Sequence, residues 1–294
     1  MFIPRHPESR PLSIEDKPLL DGIFARLQPR ISEFTFASLY LFRTAHAYRL
    51  SMVEEALVLF GRGYGGGHYF LPPLTGNVEN ALNRLLDEGL TLYGTDEGFV
   101  NRYLLDKRVE IVEDRDCFDY LYLRRDLAEL PGNRFHKKKN RINYFVSRHQ
   151  YSIDIYGERH LQGCLDLLAE WLRVRGEIES SSIVFEADAA AEALHMAVPL
   201  GLEGLVALVE GEVKAFVLGE RLTREISVCH FEKADPFLDG IYQLIDREFN
   251  RLLFIDCTYV NREQDLGEMN LRETKLSYHP LELVKKFLVR RADK

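Results

Sequence analysis

The sequence predicts an α+β protein of two domains. Three observations carry that reading. The length, 294 residues, suits two domains of about 150 residues each. The composition, 46% hydrophobic and 29% charged, supplies a core and lies outside the range of disordered chains. The second half runs helix, helix, three close-set antiparallel strands, helix, strand, helix and a terminal extended segment, an order of the α+β class.

Taken in order, residues 1–33 form an irregular arm, marked by Pro4, Pro7, Pro11 and Pro18, followed by a short helix. An apolar-rich helical segment runs from Phe34 to Arg43. Ser51–Phe60 and His68–Leu71 read as a hairpin around the glycine-rich turn 61–67. Val78, Leu82, Leu85 and Leu86 give helical spacing to Asn77–Glu88. Strands are expected at Leu90–Tyr93 and Phe118–Leu123, with a helix at Asp96–Leu105 between them. The alternation Tyr151/Ile153/Ile155 starts the second domain. Helix Arg159–Val174 follows, with Leu161, Leu165, Leu168 and Leu172 on one side, then helix Ala187–Val198. Strands Gly204–Val209, Lys214–Leu222 and Glu225–Phe231 precede helix Ile241–Leu252, strand Leu253–Tyr259 and helix Gly267–Leu276. The expected domains are 34–150 and 151–294, after the arm 1–33.

Several function classes are excluded at this level. No apolar run reaches the roughly 18 to 20 residues that would span a bilayer. The N-terminus lacks the basic and apolar regions of a signal peptide, so a cytoplasmic location is expected. Cys117, Cys164, Cys229 and Cys257 are scattered without zinc-ligand spacing, and free thiols with no metal are expected. GxxxxGK[ST], GxSxG and HExxH are all missing, which disfavours nucleotide hydrolysis and serine or zinc hydrolysis.

The net charge of −8 hides one exception. Residues 131–150 hold Arg134, Lys137, Lys138, Lys139, Arg141 and Arg148 with no acid, so this segment is +6 and the rest −14. If helical after Gly132, it places Arg134, Lys137, Lys138 and Arg141 on one face and apolar side chains on another. Such a stripe suits phosphate groups of a CoA-like cofactor, a lipid headgroup or a tRNA; a solvated helix face is the plain alternative. In the strand around residue 230, His230 and Glu232 point to one face, a pair able to take a proton from an attacking amine; a structural salt link to Lys233 or Arg221 is the alternative. The loop after Leu253–Tyr259 carries Asn261, Arg262, Glu263 and Asp265 at a strand end, where ligands commonly sit; helix capping by Asn261 or Asp265 is its alternative. Arg272, Lys275 and Tyr278 follow, and Lys275 suits a carbonyl or phosphate, or a helix end.

These stretches, Gly132–Phe145, His230-Phe231-Glu232-Lys233-Ala234-Asp235, Asn261-Arg262-Glu263-Gln264-Asp265-Leu266-Gly267 and Lys275-Leu276-Ser277-Tyr278-His279-Pro280, together with Phe36-Ala37-Ser38-Leu39-Tyr40, resemble the phosphatidylglycerol lysyltransferase C-terminal domain family, in its stand-alone branch. The resemblance implies two packed GNAT-like (acyl-CoA N-acyltransferase) domains, with mixed, mainly antiparallel sheets flanked by helices and the active cleft chiefly in the second. Members joined to membrane domains move an aminoacyl group from aminoacyl-tRNA to phosphatidylglycerol, and cousins build peptidoglycan bridges. The expected activity is therefore transfer of an activated acyl group, from aminoacyl-tRNA or a coenzyme A thioester, to an amine or hydroxyl. Glu232, with His230, would take the proton; Arg262 and Lys275 would steady the oxyanion or a donor phosphate. The cations Arg134, Lys137, Lys138 and Arg141 would hold the donor, and Asn261, Glu263, Asp265, Arg272 and Tyr278 would contact substrate. No tightly bound cofactor is required; peripheral contact with lipid headgroups is a further expectation for the basic segment. The alternative is a non-catalytic module on a transferase-like scaffold that binds CoA, tRNA or an acidic partner. The related acyl-CoA enzymes carry a glycine-rich pyrophosphate loop where this chain has Ala234–Gly240, with a single glycine.

Overall fold

The computed structural model describes residues 2–63, 65–175 and 181–292; Tyr64, within the expected turn 61–67, lies outside the described residues. The strands are β1 (Arg10–Pro11), β2 (Arg49–Val53), β3 (Ala56–Arg62), β4 (His68–Phe70), β5 (Thr91–Thr95), β6 (Val109–Glu113), β7 (Asp119–Leu123), β8 (Tyr151–Ile155), β9 (Glu203–Val209), β10 (Glu212–Arg221), β11 (Ile226–Ala234), β12 (Tyr259–Asn261), β13 (Glu282–Val284) and β14 (Phe287–Arg291). The helices are α1 (Lys17–Leu27), α2 (Phe36–Leu41), α3 (Arg43–His46), α4 (Val78–Asp87), α5 (Glu97–Tyr103), α6 (Arg124–Glu129), α7 (His136–Val146), α8 (Leu161–Arg175), α9 (Ser181–His195), α10 (Ala197–Leu200), α11 (Ile241–Leu252) and α12 (Met269–Leu276). The fold is α+β with two seven-stranded, mostly antiparallel sheets, as the sequence predicts.

Two compact units divide the chain, and both are discontinuous. The first comprises Met1–Asp119, Gln264–Met269 and Leu283–Lys294; the second comprises Tyr120–Glu263 and Asn270–Glu282. This differs from the boundary expected at residue 150. β7 hydrogen-bonds to β12 and therefore packs with the second half of the sequence, while β14 lies between β5 and β6 and completes the first sheet from the far end of the chain.

In the first unit the sheet order is β1-β2-β3-β4-β5-β14-β6, with only β4 and β5 parallel. Local chemistry starts its helices where the sequence has capping residues. Thr35 accepts from the Ser38 amide at α2, Asn77 from Asn80 at α4 and Asp96 from Phe99 at α5, each satisfying an amide that has no partner within the helix. Val58, Phe70, Leu82, Leu85, Leu86, Leu92 and Val289 form the core against the sheet. Lys286 is fully buried; its ammonium lies 2.5 and 2.7 Å from the Glu33 carboxylate oxygens and 2.7 Å from Asp119 Oδ1. Asp119 also accepts from the Ser32 amide and hydroxyl at 2.7 and 3.0 Å.

In the second unit the order is β13-β7-β12-β11-β10-β9-β8. Neighbours from β8 to β11 are antiparallel, β11 and β12 are parallel, and β12 and β7 are antiparallel. The parallel pairing covers only Ile226↔Tyr259, Ser227↔Val260 and Val228↔Asn261. Beyond Val228, β11 continues to Ala234 without β12 beside it, so the sheet opens there. Glu232, paired with Val217 of β10, lies on the stretch that β12 leaves open, and Arg262 is the first residue after β12.

Three local expectations are corrected. Ser51–Phe60 is a hairpin of its own, because Glu54 and Glu55 turn the chain in the left-handed region, with φ of 46° and 66°, where no glycine or asparagine signals a turn. The expected strand Leu253–Tyr259 is mostly irregular chain: Leu253, Phe254 and Cys257 are buried, Phe254 has φ of 49°, and only Tyr259–Asn261 pairs. Val109–Glu113 is an additional edge strand.

Candidate functional site

Every group of this site belongs to the second unit. Glu232 projects from the open stretch of β11, and Arg262 meets it: Nη2 donates to Glu232 Oε2 at 2.8 Å. The guanidinium's Nη1 lies 3.1 Å from Asp246 Oδ1 of α11. Arg262 is thus set between two carboxylates that are each at least 87% withdrawn from solvent, the Glu232 side chain being 13% and Asp246 3% exposed. Nη1 and Asp246 Oδ2 are buried without a hydrogen-bond partner of good geometry. Such adjacent donor and acceptor capacity suits a polar ligand or water.

Aromatic rings close around the guanidinium, with Tyr278 centred 5.1 Å and Tyr122 6.0 Å from it. Lys138 of α7 reaches the same place. Its ammonium lies 3.9 Å over the Tyr278 ring and donates to Ser277 Oγ at 2.7 Å. Lys275 Nζ donates to the Arg262 carbonyl at 2.6 Å, and the Lys275 carbonyl accepts from Tyr122 Oη at 2.8 Å.

The electrostatics follow from burial. Desolvation raises the Glu232 carboxyl to about 7, against the opposing pull of Arg262. Burial also raises Asp246, with Arg262 and Lys138 opposing. It lowers the Lys138 ammonium to about 8. Arg262 stays a cation because Asp246 and Glu232 outweigh the cost of its burial.

His230 stands apart from this pair, which corrects the expectation that it works beside Glu232. Leu218 pairs with Phe231 and Gly219 with Cys229, so His230 is the extra residue of a β-bulge and the simple alternation with Glu232 is broken. Its Nδ1 lies 2.7 Å from Glu263 Oε1 and its Nε2 2.9 Å from Glu220 Oε1. Burial alone would lower this imidazole, but the bonds to Glu220 and Glu263 raise it to about 10. A ring already protonated at neutral pH takes up no further proton. Neither alternative salt link forms: Lys233 meets Glu186 at 2.5 Å and Arg221 meets Asp256 at 2.7 Å.

The remaining expected residues divide. Lys275 is buried on the Arg262 backbone, a position that holds the loop rather than presenting an ammonium to substrate. Asn261 is buried and its Oδ1 accepts from the Glu263 amide at 2.7 Å. Glu263 holds His230. Asp265 belongs to the first unit, where it meets Arg115 at 3.1 Å and accepts from the Gly267 amide at 2.9 Å, in the turn before α12 begins at Met269. Arg272 is half-buried on α12. The four cations do not act alike. Lys138 enters the site, Arg134 pairs with Asp126, Arg141 lies 3.8 Å from Asp239, and Lys137 is exposed. Asp246, Glu220 and Tyr122 are groups that sequence reasoning missed. For Asp246 a signal existed: Asp246 and Asn250, one turn apart, border the apolar face of α11, and both are buried. A surface depression of about 610 Å³ lined by Arg124, Arg125, Glu129, Ile255 and Asp256 contains none of the site groups.

Among the described residues, no helix is long and apolar enough to cross a membrane, and no group of three or more His, Cys, Asp or Glu is placed to hold a metal ion.

Residues 24–290 match the family described as phosphatidylglycerol lysyltransferase, C-terminal. An uncharacterised protein of Mycoplasmoides gallisepticum is 24% identical over 185 residues, 62% of this chain, and the match spans 58% of that relative's length. A conserved protein of unknown function from Bacteroides thetaiotaomicron has a crystal structure similar at a TM-score of 0.88, with 29% identity over 96% of this chain and 98% of that one. The C-terminal domain (DUF2156) of a lysylphosphatidylglycerol synthetase candidate from Agrobacterium fabrum gives 0.66 at 12% identity, covering 96% and 93%. FemX gives 0.59 at 8% identity, covering 96% of both chains. The last two likenesses show a shared fold.

Proposed function

The chain belongs to the phosphatidylglycerol lysyltransferase C-terminal family, and on that premise we propose that it is an aminoacyltransferase, moving an aminoacyl group from aminoacyl-tRNA to an amine or hydroxyl acceptor. One arrangement carries the chemistry: a buried carboxyl, Glu232, raised to about 7 by desolvation and bonded to Arg262, whose other terminal nitrogen, Nη1, lies 3.1 Å from Asp246 Oδ1 without a well-aligned hydrogen bond. A base with a pKa near the working pH combines a useful deprotonated fraction with driving force for proton transfer.

In this reading the acceptor's N or O attacks the ester carbonyl carbon and the carbonyl π pair moves onto oxygen. Arg262 Nη1 donates to that oxyanion. Glu232 takes the acceptor's proton through Oε1, since Oε2 is held by Arg262, and returns it to the ribose oxygen as the C–O bond breaks. Asp246 and Tyr278 keep the guanidinium aimed, and Lys275 fixes the backbone that carries it. Lys138, with the exposed Lys137, faces the phosphates of the donor.

The helix start that would receive a pyrophosphate favours tRNA over a coenzyme A thioester. Gly240 precedes α11 with φ of 98°, and a Cβ there would fall 2.1 Å from the Arg141 carbonyl of α7. With α7 this close, a phosphate on the first turn of α11 would have to displace it.

The test is transfer of labelled amino acid from a charged tRNA pool to amine and hydroxyl acceptors, with acyl-CoA thioesters in parallel. Glu232→Gln is expected to lower the rate about 10²- to 10³-fold, and Arg262→Lys by a similar factor. The wild-type rate is expected to rise with pH through about 7, following deprotonation of Glu232, and the Gln variant to lose that limb. An unchanged rate in Glu232→Gln, or turnover of thioesters alone, would overturn the reading.

A further inference from the structure

We propose that His230 is a positioning residue: bridging Glu220 and Glu263 as an imidazolium, it locks the turn that aims Arg262 at Glu232 and Asp246. The inference rests on the role given above to Arg262 and Glu232, and assigns to His230 a part in holding it.

The protonation state follows from geometry. Both ring nitrogens face carboxylate oxygens, at 2.7 and 2.9 Å. With Glu220 and Glu263 ionised, each carboxylate only accepts, both ring nitrogens donate, and only the imidazolium has two N–H groups. The neutral ring would turn a lone pair on one of these oxygens. The side chain is 2% exposed, so water does not stand in for either contact.

The turn needs holding. Glu263 adopts φ of 53°, a left-handed conformation that side chains other than glycine take up at a cost of about 1 kcal/mol or more. Its backbone is tied at both ends: its amide donates to Asn261 Oδ1 at 2.7 Å and its carbonyl accepts from the Tyr120 amide at 3.2 Å. The Arg262 amide donates to the Tyr120 carbonyl at 2.9 Å. The Glu263 side chain is held by His230. Glu220 anchors the other side of the ring from β10, and the bulge at His230 puts the ring between the two acids. Loss of the positive charge would leave two carboxylates facing each other in a buried place, and the turn carrying Arg262 would be pushed away.

The Glu232 titration reports this without any substrate. Glu232 is faced by Arg262, by Asp246 of α11, by Lys233 of its own strand and by Lys275 of α12; Lys138 of α7 and Tyr278 also act on it. Of these, Arg262 sits on the turn that His230 holds, and Lys275 is bonded to that turn through the Arg262 carbonyl. In the full chain labelled with ¹³C-glutamate, His230→Gln is expected to raise the Glu232 midpoint by about one unit or more as Arg262 withdraws, and His230→Lys, which restores a cation between the two acids, to bring it back. Glu263→Met, which removes the acceptor at a similar side-chain length, is expected to reproduce the upward move and serves if His230→Gln does not fold. In transfer assays the Gln variant is expected to lose about tenfold or more in kcat with little change in KM. A Glu232 midpoint that stays put in both His230→Gln and Glu263→Met would overturn the proposal. Since the titration uses neither donor nor acceptor, absence of transfer by the wild type would count against the proposed function alone.

Discussion

Lys286, His230 and Lys138 are three bases removed from water to different degrees, and their nearest acids decide their charge. Lys286 faces two carboxylates and stays protonated, with its pKa raised. His230 does the same between Glu220 and Glu263. Lys138 has an aromatic ring and a hydroxyl as its nearest partners, and burial lowers it to about 8. For His230 this gives a stability prediction. Its folded pKa of about 10 exceeds the unfolded value of about 6.5, so its contribution is complete below about pH 6.5 and is lost as pH rises through 10. Urea unfolding from pH 6 to 10 is expected to show that loss, at most about 5 kcal/mol, and His230→Gln to flatten it; an equally steep decline in the variant would count against the assignment. Such a group is legible in the sequence only as a residue type. Glu220 and Glu263 stand 10 and 33 positions away, and the bulge that turns His230 toward them has no local signature. The strand alternation that pairs His230 with Glu232 is sound for a regular strand and fails here for that reason.

At the level of elements, periodicity located what it can see. The helix over Ile241–Leu252 was legible at both ends because its apolar positions repeat cleanly and Gly240 precedes it. The basic helix was legible for the same reason, after Pro131 and Gly132. Turns without glycine or asparagine, such as Glu54-Glu55, and the buried irregular run Leu253–Thr258 were not, because tertiary packing rather than local preference sets them. The contact between α7 and α11 gives the prediction at this scale. Gly240→Ala combines a positive φ with a Cβ at 2.1 Å from a backbone oxygen. It is expected to destabilise by about 2–4 kcal/mol and to speed amide exchange along α7. Gly211, also at positive φ (85°), has nothing within 4 Å of an added Cβ, so Gly211→Ala is expected to cost only about 1 kcal/mol. Equal losses in the two variants would show that the contact with Arg141 is relaxed in solution.

For the molecule as a whole, two domains of the α+β class followed from length and element order and their sheets from the family resemblance, whereas the exchange of β7 and β14 did not. No property of a strand's own residues says which sheet it joins; Phe287 and Val289 read simply as alternating apolar positions. Removing residues 283–294 is expected to strip the first sheet of the strand between β5 and β6 together with Lys286. Glu33 and Asp119 would then face each other unneutralised. Hydrogen exchange by mass spectrometry is expected to show β5 and β6 losing protection, and full protection of β5 would contradict the pairing.

That same strand order has a temporal meaning. A ribosome releases the first six strands long before it releases Phe287–Arg291, and at about 5–20 residues per second the interval is roughly 10–35 s. During that time β5 has an unfilled edge, and the nascent first half waits for a segment that has yet to be translated. Completion of this sheet is therefore a late event, and before it a chaperone or a stray strand from another chain has its opportunity to bind.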